Sequence, residues 1–453
     1  MRRLVSRGVV ILGIFLLLLI ENTRAAGAQV ETGKEQGGHK IRAKLSSDET
    51  FTKWKSFLET LPFELHGFWE AHGGLRAQDD PHESKTATLG ESRFQLHLFK
   101  ALDWAKFRIK NDFLYDGVAE EAKDDLREAN ALFTPFEFME MKVGRQILTW
   151  GTGDYLFIND LFPKDYNSFL IGRDDEYLKA PSDALKASFY TQAFNLDFVY
   201  TPQFDPDRFI DGKRLSYFNP QLGRLAGEDA VIYPRKRNEW FEDSEIAVRL
   251  YREIQGYGLA LYGYNGFWKS PVGFDSQAGR ATFPRLSVYG LSARGKVWKG
   301  IGNFEVGYYD SREDRSGENP FLPNSQLRYL TGYEQELAED FTVGVQYYLE
   351  QMLQFGTYKH TLPGGSQAAD EFRHVTTLRL TKLLLYQNLK LSLFTFYSPS
   401  DQDVYIRPNV HYKITDHWGA EVGANIFVGE KDHTFFGQFK DNTNVYSGLR
   451  WSF

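Results

Sequence analysis

The chain lacks cysteine altogether, and it has no long apolar run beyond its first 20 residues. The absence of cysteine excludes a disulfide framework, a lipid-anchoring cysteine and a cysteine-ligated metal or haem. No later stretch reaches 18 apolar residues and the mean hydropathy is −0.44, which excludes a protein that crosses a membrane by helices. We therefore expect no metal and no cofactor.

The first 28 residues have the three parts of a secretory leader. Three arginines precede position 8, an apolar stretch runs from Val9 to Ile20, and Ala26-Gly27-Ala28 provides a small-residue cleavage site. The apolar stretch is shorter than the roughly 20 residues that a spanning helix needs. Cleavage before Gln29 is predicted, with an uncleaved anchor as the alternative. Cleavage leaves 49 basic and 59 acidic residues, a net charge of −10.

A short amphipathic helix is predicted after a polar, glycine-bearing tail that runs from Gln29 to Leu45. Ser46 and Glu49 form the pattern of a capping box, and apolar residues follow from Phe51 to Leu61 at helical spacing. The predicted helix covers Asp48 to Thr60. It would either plug the periplasmic mouth of the fold described next or simply dock there.

From Phe63 onward the apolar period changes from helical spacing to two. Phe341, Val343 and Val345 alternate with polar or small neighbours, and the same pattern recurs through most of the chain. A period of two gives each strand one apolar and one polar face. The chain also holds 37 Phe, 25 Tyr and 40 Gly, a composition that suits aromatic girdles and glycine-bearing strands.

Short and long connections take turns between the predicted strands. Turns such as Leu102–Trp104 and Leu385–Asn388 alternate with mostly longer segments such as Leu148–Asp183 and Pro202–Asp243. Outer-membrane barrels have short periplasmic turns and longer external loops. The sequence therefore predicts an all-β fold, a single transmembrane antiparallel up-and-down β-barrel of about 18 strands, with 16 as the alternative count. The predicted organisation is a signal peptide over 1–28, a periplasmic tail and helix over 29–62, and the barrel over 63–453.

The last predicted strand ends at Phe453 with apolar or aromatic residues at alternating positions. Leu449, Trp451 and Phe453 share its apolar face. Such a strand resembles the signal that the barrel-assembly machinery reads, so we expect this machinery to be a partner. Pro408 lies inside another predicted strand, where it cannot donate a ladder hydrogen bond, and a bulge or local irregularity is expected there.

Charged side chains fall on the faces that the alternation assigns to the lumen. On the lipid face at mid-depth an Arg or Lys costs roughly 2–4 kcal/mol, so these charges must face water. Lys106, Arg108 and Lys110 place three cations on one luminal stripe, which would favour anionic solutes. The alternative is a solvated face that carboxylates on neighbouring strands balance.

A distinctive segment runs from Gly144-Arg145-Gln146 through Trp150-Gly151 to Asn159-Asp160-Leu161-Phe162-Pro163. It resembles uncharacterised large porin-like outer-membrane proteins of proteobacteria and, more distantly, the alginate-export class of barrels. The resemblance implies that Asp154–Asp165 folds inward to narrow a pore, with Arg145 near the constriction; an ordinary external loop is the alternative. The candidate pore-lining or constriction residues are Lys106, Arg108, Lys110, Asp112, Arg145, Asp154, Asp160, Arg249 and Arg407.

The expected function is a porin-like channel for small hydrophilic solutes in the outer membrane of a Gram-negative cell. A barrel of 16–18 strands leaves an aqueous channel. The alternative is a conduit that needs a periplasmic partner, either a polysaccharide exit channel or a sheath for multihaem cytochromes. His66, His72 and His97 lack a matched nucleophile by spacing, so no enzyme is expected. The expected partners are lipid and lipopolysaccharide, and no nucleic acid.

Overall fold

The structure is a computed structural model that describes residues 62–453. The predicted leader, tail and amphipathic helix lie outside the described residues. The chain divides into residues 1–65 and 66–453, and the fold described below is that of the second unit together with the strand that enters it.

Eighteen long strands make up one antiparallel sheet. They are β1 (Glu64–Arg76), β2 (Ala87–Ala101), β3 (Lys106–Asp116), β4 (Glu121–Phe136), β5 (Met139–Ile147), β6 (Pro181–Tyr190), β7 (Asn195–Thr201), β8 (Glu245–Ile254), β9 (Tyr257–Phe267), β10 (Arg285–Val297), β11 (Gly300–Ser311), β12 (Gln326–Ala338), β13 (Phe341–Met352), β14 (Phe372–Leu384), β15 (Leu389–Ser398), β16 (Asp403–Lys413), β17 (Trp418–Gly429) and β18 (Asn444–Ser452).

The sheet closes on itself, because β1 pairs with β18 as well as with β2. In the closing ladder Trp69 lies opposite Trp451 and Leu75 lies opposite Val445. Every other strand pairs with its neighbours in sequence. Closure satisfies the backbone of every strand without leaving an edge, and it confirms the predicted up-and-down barrel and the count of 18 strands.

The connections at the two ends of the barrel differ in length, as the sequence predicts. At one end each turn has at most four residues, and the turn between β8 and β9 uses Gln255 and Gly256, both with positive φ. Such two-residue turns match the twist of the strands that they join. The other end carries the long loops, among them residues 148–180, called here the inner loop, and residues 202–244, called here the cap loop.

The remaining elements are short and lie in the long loops. They are two helices, α1 (Tyr166–Ile171) and α2 (Phe355–Thr361), the hairpins Tyr217–Asn219 with Arg224–Ala226 and Gly273–Asp275 with Arg280–Thr282, and the 3-10 turns Asp175–Leu178, Glu228–Ala230 and Gly437–Asn442. No helix within residues 62–453 is long and apolar enough to cross a membrane.

Burial along β3 follows the alternation that the sequence shows. Asp112 is completely buried inside the barrel, whereas Ile109 and Tyr115 on the opposite face are exposed. The register sets Lys110 opposite His97 on β2 and Glu128 on β4. The polar face of the strand therefore lines the interior, and the apolar face forms the outer wall.

The irregularity expected at Pro408 takes the form of a gap in pairing. Pro408 lies opposite Leu393 on β15. On the β17 side the ladder is complete up to Ile406 and resumes at Asn409 without a change of register. The missing amide hydrogen thus costs local hydrogen bonds and leaves the alignment of the two strands intact.

Candidate constriction site

The inner loop leaves β5 and turns into the barrel instead of projecting from it. Its turn at Gly151 has φ +81°, and a Cβ at this position would lie 3.1 Å from the Glu305 carboxylate. Only glycine suits both the left-handed backbone and this close approach. The loop therefore passes directly against the luminal face of β11.

Glu305 fixes the first half of the inner loop to the wall. Its side chain is completely buried, and it accepts hydrogen bonds from the backbone amides of Thr152, Gly153 and Asn159. The Asn159 side-chain amide adds a bond of 2.8 Å to the same carboxylate. Hydrogen bonds to an ionised acceptor are stronger than those between neutral groups. Glu305 therefore holds the loop against the wall, although the two are far apart in the sequence.

Helix α1 carries the loop across to the opposite wall. Asp165 caps the helix by accepting from the Ser168 amide at 2.8 Å, and Gly172 ends it in the left-handed conformation. The Tyr405 hydroxyl on β16 donates to the Phe169 carbonyl, and the Asn444 amide on β18 donates to the Leu170 carbonyl. The wall thus provides partners for carbonyls that the short helix leaves unpaired.

The returning half of the loop is held by arginines. The guanidinium carbons of Arg93 and Arg127 lie 3.9 and 4.8 Å from the centre of the Tyr177 ring. Arg127 also donates to the carbonyls of Glu176 and Lys179 at 3.0 and 2.9 Å. Cation–π contacts gain strength when both partners are desolvated, so this sandwich anchors the loop beside β2 and β4.

Four carboxylates of the inner loop each meet a cation on a different strand. The pairs are Asp154 with Arg379 (3.3 Å), Asp174 with Arg450 (3.2 Å), Asp175 with Arg407 (3.2 Å) and Glu176 with Lys110 (3.1 Å). The loop therefore neutralises much of the positive charge that the strands present to the lumen. The inner loop thus brings its carboxylates against cations of four different strands inside the barrel.

Two of these loop carboxyls have shifted pKa values. Burial raises the pKa of Asp154, against the opposing effect of Arg379. Burial would also raise the pKa of Glu176, but the cations Lys110, Arg450 and Arg127 together outweigh it and the pKa of Glu176 is lowered. The carboxyl group of Glu176 is consequently more firmly ionised than that of Asp154.

The predicted stripe on β3 lies on the luminal face, and carboxylates surround it. Arg108 lies 3.8 Å from Glu128, and Lys110 pairs with Glu176. Asp112 accepts from Arg93 at 2.6 Å. Lys106 is exposed at the start of the strand. The geometry favours the balanced face over a strongly cationic stripe.

The other predicted residues lie at different places. Arg407 reaches the inner loop, as described, and Arg249 on β8 donates to Asp197 at 2.7 Å. Asp160 is buried in the inner loop and pairs with Lys164 at 3.0 Å, so its charge is compensated within the loop. Asp154 faces Arg379. The structure thus gathers Lys110, Asp154 and Arg407 around one loop.

Arg145 does not line the lumen, and this corrects the expectation that came from the resemblance. It follows Gly144, which lies opposite the luminal Asn130, and precedes the buried Gln146. Alternation therefore places Arg145 on the outer face. There it pairs with Asp183 on β6 at 3.2 Å and donates to the Leu126 carbonyl at 2.6 Å, a group that β4 presents where its pairing with β5 has ended.

Sequence reasoning missed Glu305 and the pair Arg127 and Tyr177 as loop-holding residues. Alternation along β11 places Glu305 on the luminal face, but no local signal in the sequence shows that a loop far along the chain will contact it.

Among the three histidines considered in the sequence, His72 lies 3.5 Å from Glu421. Within residues 62–453 no group of three or more metal-ligating side chains is arranged to hold a metal ion.

The described residues thus form a closed barrel with a long loop folded against its inner wall. Two solved structures share the fold. OccK11 (OpdR) of Pseudomonas aeruginosa has a TM-score of 0.50 and 10% identity, over 86% of this chain and 95% of that one. OccAB3 of Acinetobacter baumannii has a TM-score of 0.51 and 10% identity, over 86% and 98%. Both are outer-membrane porins.

At this level of identity the likeness shows the fold alone. No protein-family model matches the chain, and no curated protein matches it either.

Proposed function

We propose that the chain is an outer-membrane channel for the diffusion of small hydrophilic solutes. The observation that carries this proposal is the closed barrel whose charged residues face inward, around a loop that lines the interior. Charged side chains of β3, β8, β14, β16 and β18 all meet partners inside the barrel. Because an apolar medium would not tolerate them, the interior belongs to water and the outer face to lipid.

The proposed location is the outer membrane of a Gram-negative cell, reached through the predicted signal peptide. The resemblance to the alginate-export class stays a prediction. So do the contacts with lipopolysaccharide and with a periplasmic partner. No catalytic role is proposed.

The test is the conductance of the refolded mature protein in a planar lipid bilayer under two salt gradients. Stable openings with a measurable reversal potential are expected. A protein that is folded, as judged by heat-modifiable migration on a gel, but that stays electrically silent would contradict a freely open channel.

One observation favours a second candidate, a gated or partner-dependent conduit. The inner loop and cap loop place apolar side chains in the middle of the barrel, where Ile158, Leu215 and Ala226 are completely buried together with Leu330 of the wall. A packed core of this kind resists the passage of water. Conductance that appears only with a co-purified periplasmic protein would support this conduit and exclude the simple channel.

A further inference from the structure

A large cavity lies between the inner loop and the long loops that cover it. Its volume is about 1160 Å³, and nineteen of the residues around it are aromatic. They come from the inner loop, the cap loop, three further long loops and the strands beneath them. This space is called here the outer vestibule. Aromatic side chains dominate the energetics of the sites that they line. Ring stacking and apolar contact are therefore the main interactions that the vestibule offers.

The charged side chains around the vestibule are paired within the protein, apart from Arg280, which is exposed. The pairs are Lys164 with Asp160 (3.0 Å), Lys269 with Glu245 (2.6 Å), Arg328 with Glu350 (3.3 Å), Arg373 with Asp401 (2.8 Å) and Asp229 with Arg224 (2.7 Å). Asp207, also at the vestibule, accepts from the Lys164 amide and the Ser270 hydroxyl. A charged solute that reached the buried pairs would have to displace one partner and leave a buried ion without compensation. An ion pair with the exposed Arg280 would contribute little.

Apolar side chains also surround the opening of the vestibule. Leu222 and Tyr233 of the cap loop are 50% and 66% exposed, and Val272, Phe321 and Phe435 of three other loops are 48%, 38% and 47% exposed. Apolar residues from four separate loops that converge on one opening form a contiguous apolar surface, which marks a binding site more often than chance exposure does.

We propose that the outer vestibule binds uncharged, ring-bearing apolar solutes. Such a solute stacks on the aromatic lining and needs no free charge. A sugar is disfavoured because its many hydroxyl groups need hydrogen-bond partners. Most polar side chains of the vestibule already bond within the protein, and the Trp268 indole N–H is a buried donor without a partner. This inference rests on the proposed function, because the solute would cross the membrane through the proposed channel. It adds to that function the class of solute that the channel concentrates at its outer mouth.

The test is equilibrium binding to the full-length protein in lipid nanodiscs, which does not depend on conduction. Three probes are compared by saturation-transfer NMR with empty nanodiscs subtracted: naphthalene-2-carboxamide, its anionic counterpart naphthalene-2-carboxylate, and maltotriose. Saturable binding is expected for the amide, about tenfold weaker binding for the carboxylate, and none for maltotriose.

The variant with Phe321→Ala and Phe435→Ala should weaken amide binding about tenfold, because two rings that contact the solute are removed. Trp240→Ala is the matched control, since Trp240 is an exposed aromatic residue of the cap loop outside the vestibule, and it should leave binding unchanged.

Tighter binding of maltotriose or of the carboxylate, or amide binding that the double variant leaves unchanged, would overturn the inference. A protein that binds the amide but conducts no ions would leave the inference standing and reject the open channel. A protein that conducts ions but binds none of the probes would do the reverse.

Discussion

Glu305 shows how one buried side chain can hold a long loop against the inner wall of a barrel. An isolated carboxylate inside a protein is costly, but here several amide donors of the inner loop surround it. The charge is therefore stable only when the loop is folded inward. The docked loop and the buried carboxylate of Glu305 thus stabilise each other.

Replacing Glu305 with alanine should release the first half of the inner loop. The loss of hydrogen bonds to a charged acceptor weakens loop docking by about 1.5–3 kcal/mol for each bond that is not replaced. We expect a larger mean single-channel conductance and stronger current noise. Glu336→Gln is the control, because Glu336 lies on β12 next to a short turn and away from the loop. Identical current traces for Glu305→Ala and the wild type would refute this role.

Glu83, in the first long loop, meets the cap loop in an unusual environment. Burial raises its pKa to about 8, an effect that Arg76 opposes and Asp80, Glu228 and Asp211 increase. Because the docked loops bind the proton more tightly than the free loops do, docking is strongest below pH 4.5. It weakens as the pH rises from 4.5 to about 8 and changes little above that.

The pH dependence can be measured by trypsin cleavage of the cap loop. The wild type and Glu83→Gln should differ least at the lowest pH measured, such as pH 5.5, where only the first part of the loss above pH 4.5 has occurred. At pH 9 the wild type should be cleaved severalfold faster, since only it carries the buried charge. The variant normalises for the pH dependence of the protease itself. A wild-type to variant ratio that does not change with pH would exclude Glu83 as the cause.

At the scale of elements, the period of two was enough to predict the strands. It assigned Lys106, Arg108 and Lys110 to one face and Phe107 to the other, and the register agrees with that assignment. It could not predict where a loop goes, because many contacts of the inner loop join residues more than 100 positions apart. Arg145 was misplaced because a motif indicates a segment and not the face on which a side chain lies.

The register of β3 can be tested with single introduced cysteines, because the chain has none of its own. Cysteines at Lys106, Arg108 and Lys110 should react with a membrane-impermeant thiol reagent. Cysteines at Phe107 and Ile109 should be protected by lipid, which makes each pair of neighbours its own control. A shift of one residue turns every side chain to the other face, so the reverse pattern would show that the strand is misaligned.

The carboxylates of the inner loop should set the ion preference of the channel. The change Asp154→Asn with Asp175→Asn leaves Arg379 and Arg407 without these partners. A unit charge at about 4 Å is worth about 1 kcal/mol even in water, so the anion-to-cation permeability ratio should rise about fivefold for each charge removed. The reversal potential in a potassium chloride gradient measures this ratio.

Asp416→Asn is the matched control for the ion preference, because Asp416 lies in a short turn and pairs with Lys413. It removes one negative charge, half of the change in the double variant, far from the inner loop. A shift of the reversal potential in the control that is at least half of the shift in the double variant would mean that overall charge, rather than the constriction, sets the preference.

At the scale of the whole molecule, closure depends on the two ends of the barrel chain. Phe453 and Gly67 exchange two backbone hydrogen bonds of 3.0 and 3.2 Å. The Phe453 ring stacks on Phe94 and contacts Trp451. A Cβ at Gly67 would lie 2.3 Å from the Gln95 carbonyl oxygen, so this position requires glycine for the strands to approach. The C-terminal residue is thus part of the seam as well as the proposed assembly signal.

The two roles of Phe453 make different predictions for Phe453→Ala. An aromatic pair contributes about 0.5–1.5 kcal/mol, which is small beside the backbone bonds of 18 strands, so refolding of the variant into detergent micelles should be nearly normal. Recognition by the assembly machinery acts only in the cell, where the folded fraction in the outer membrane should fall severalfold. Ser452→Ala, on the luminal side of the same strand, is the control. If instead refolding in vitro and assembly in the cell fall together, Phe453 acts through the seam alone and the assembly signal lies elsewhere in β18.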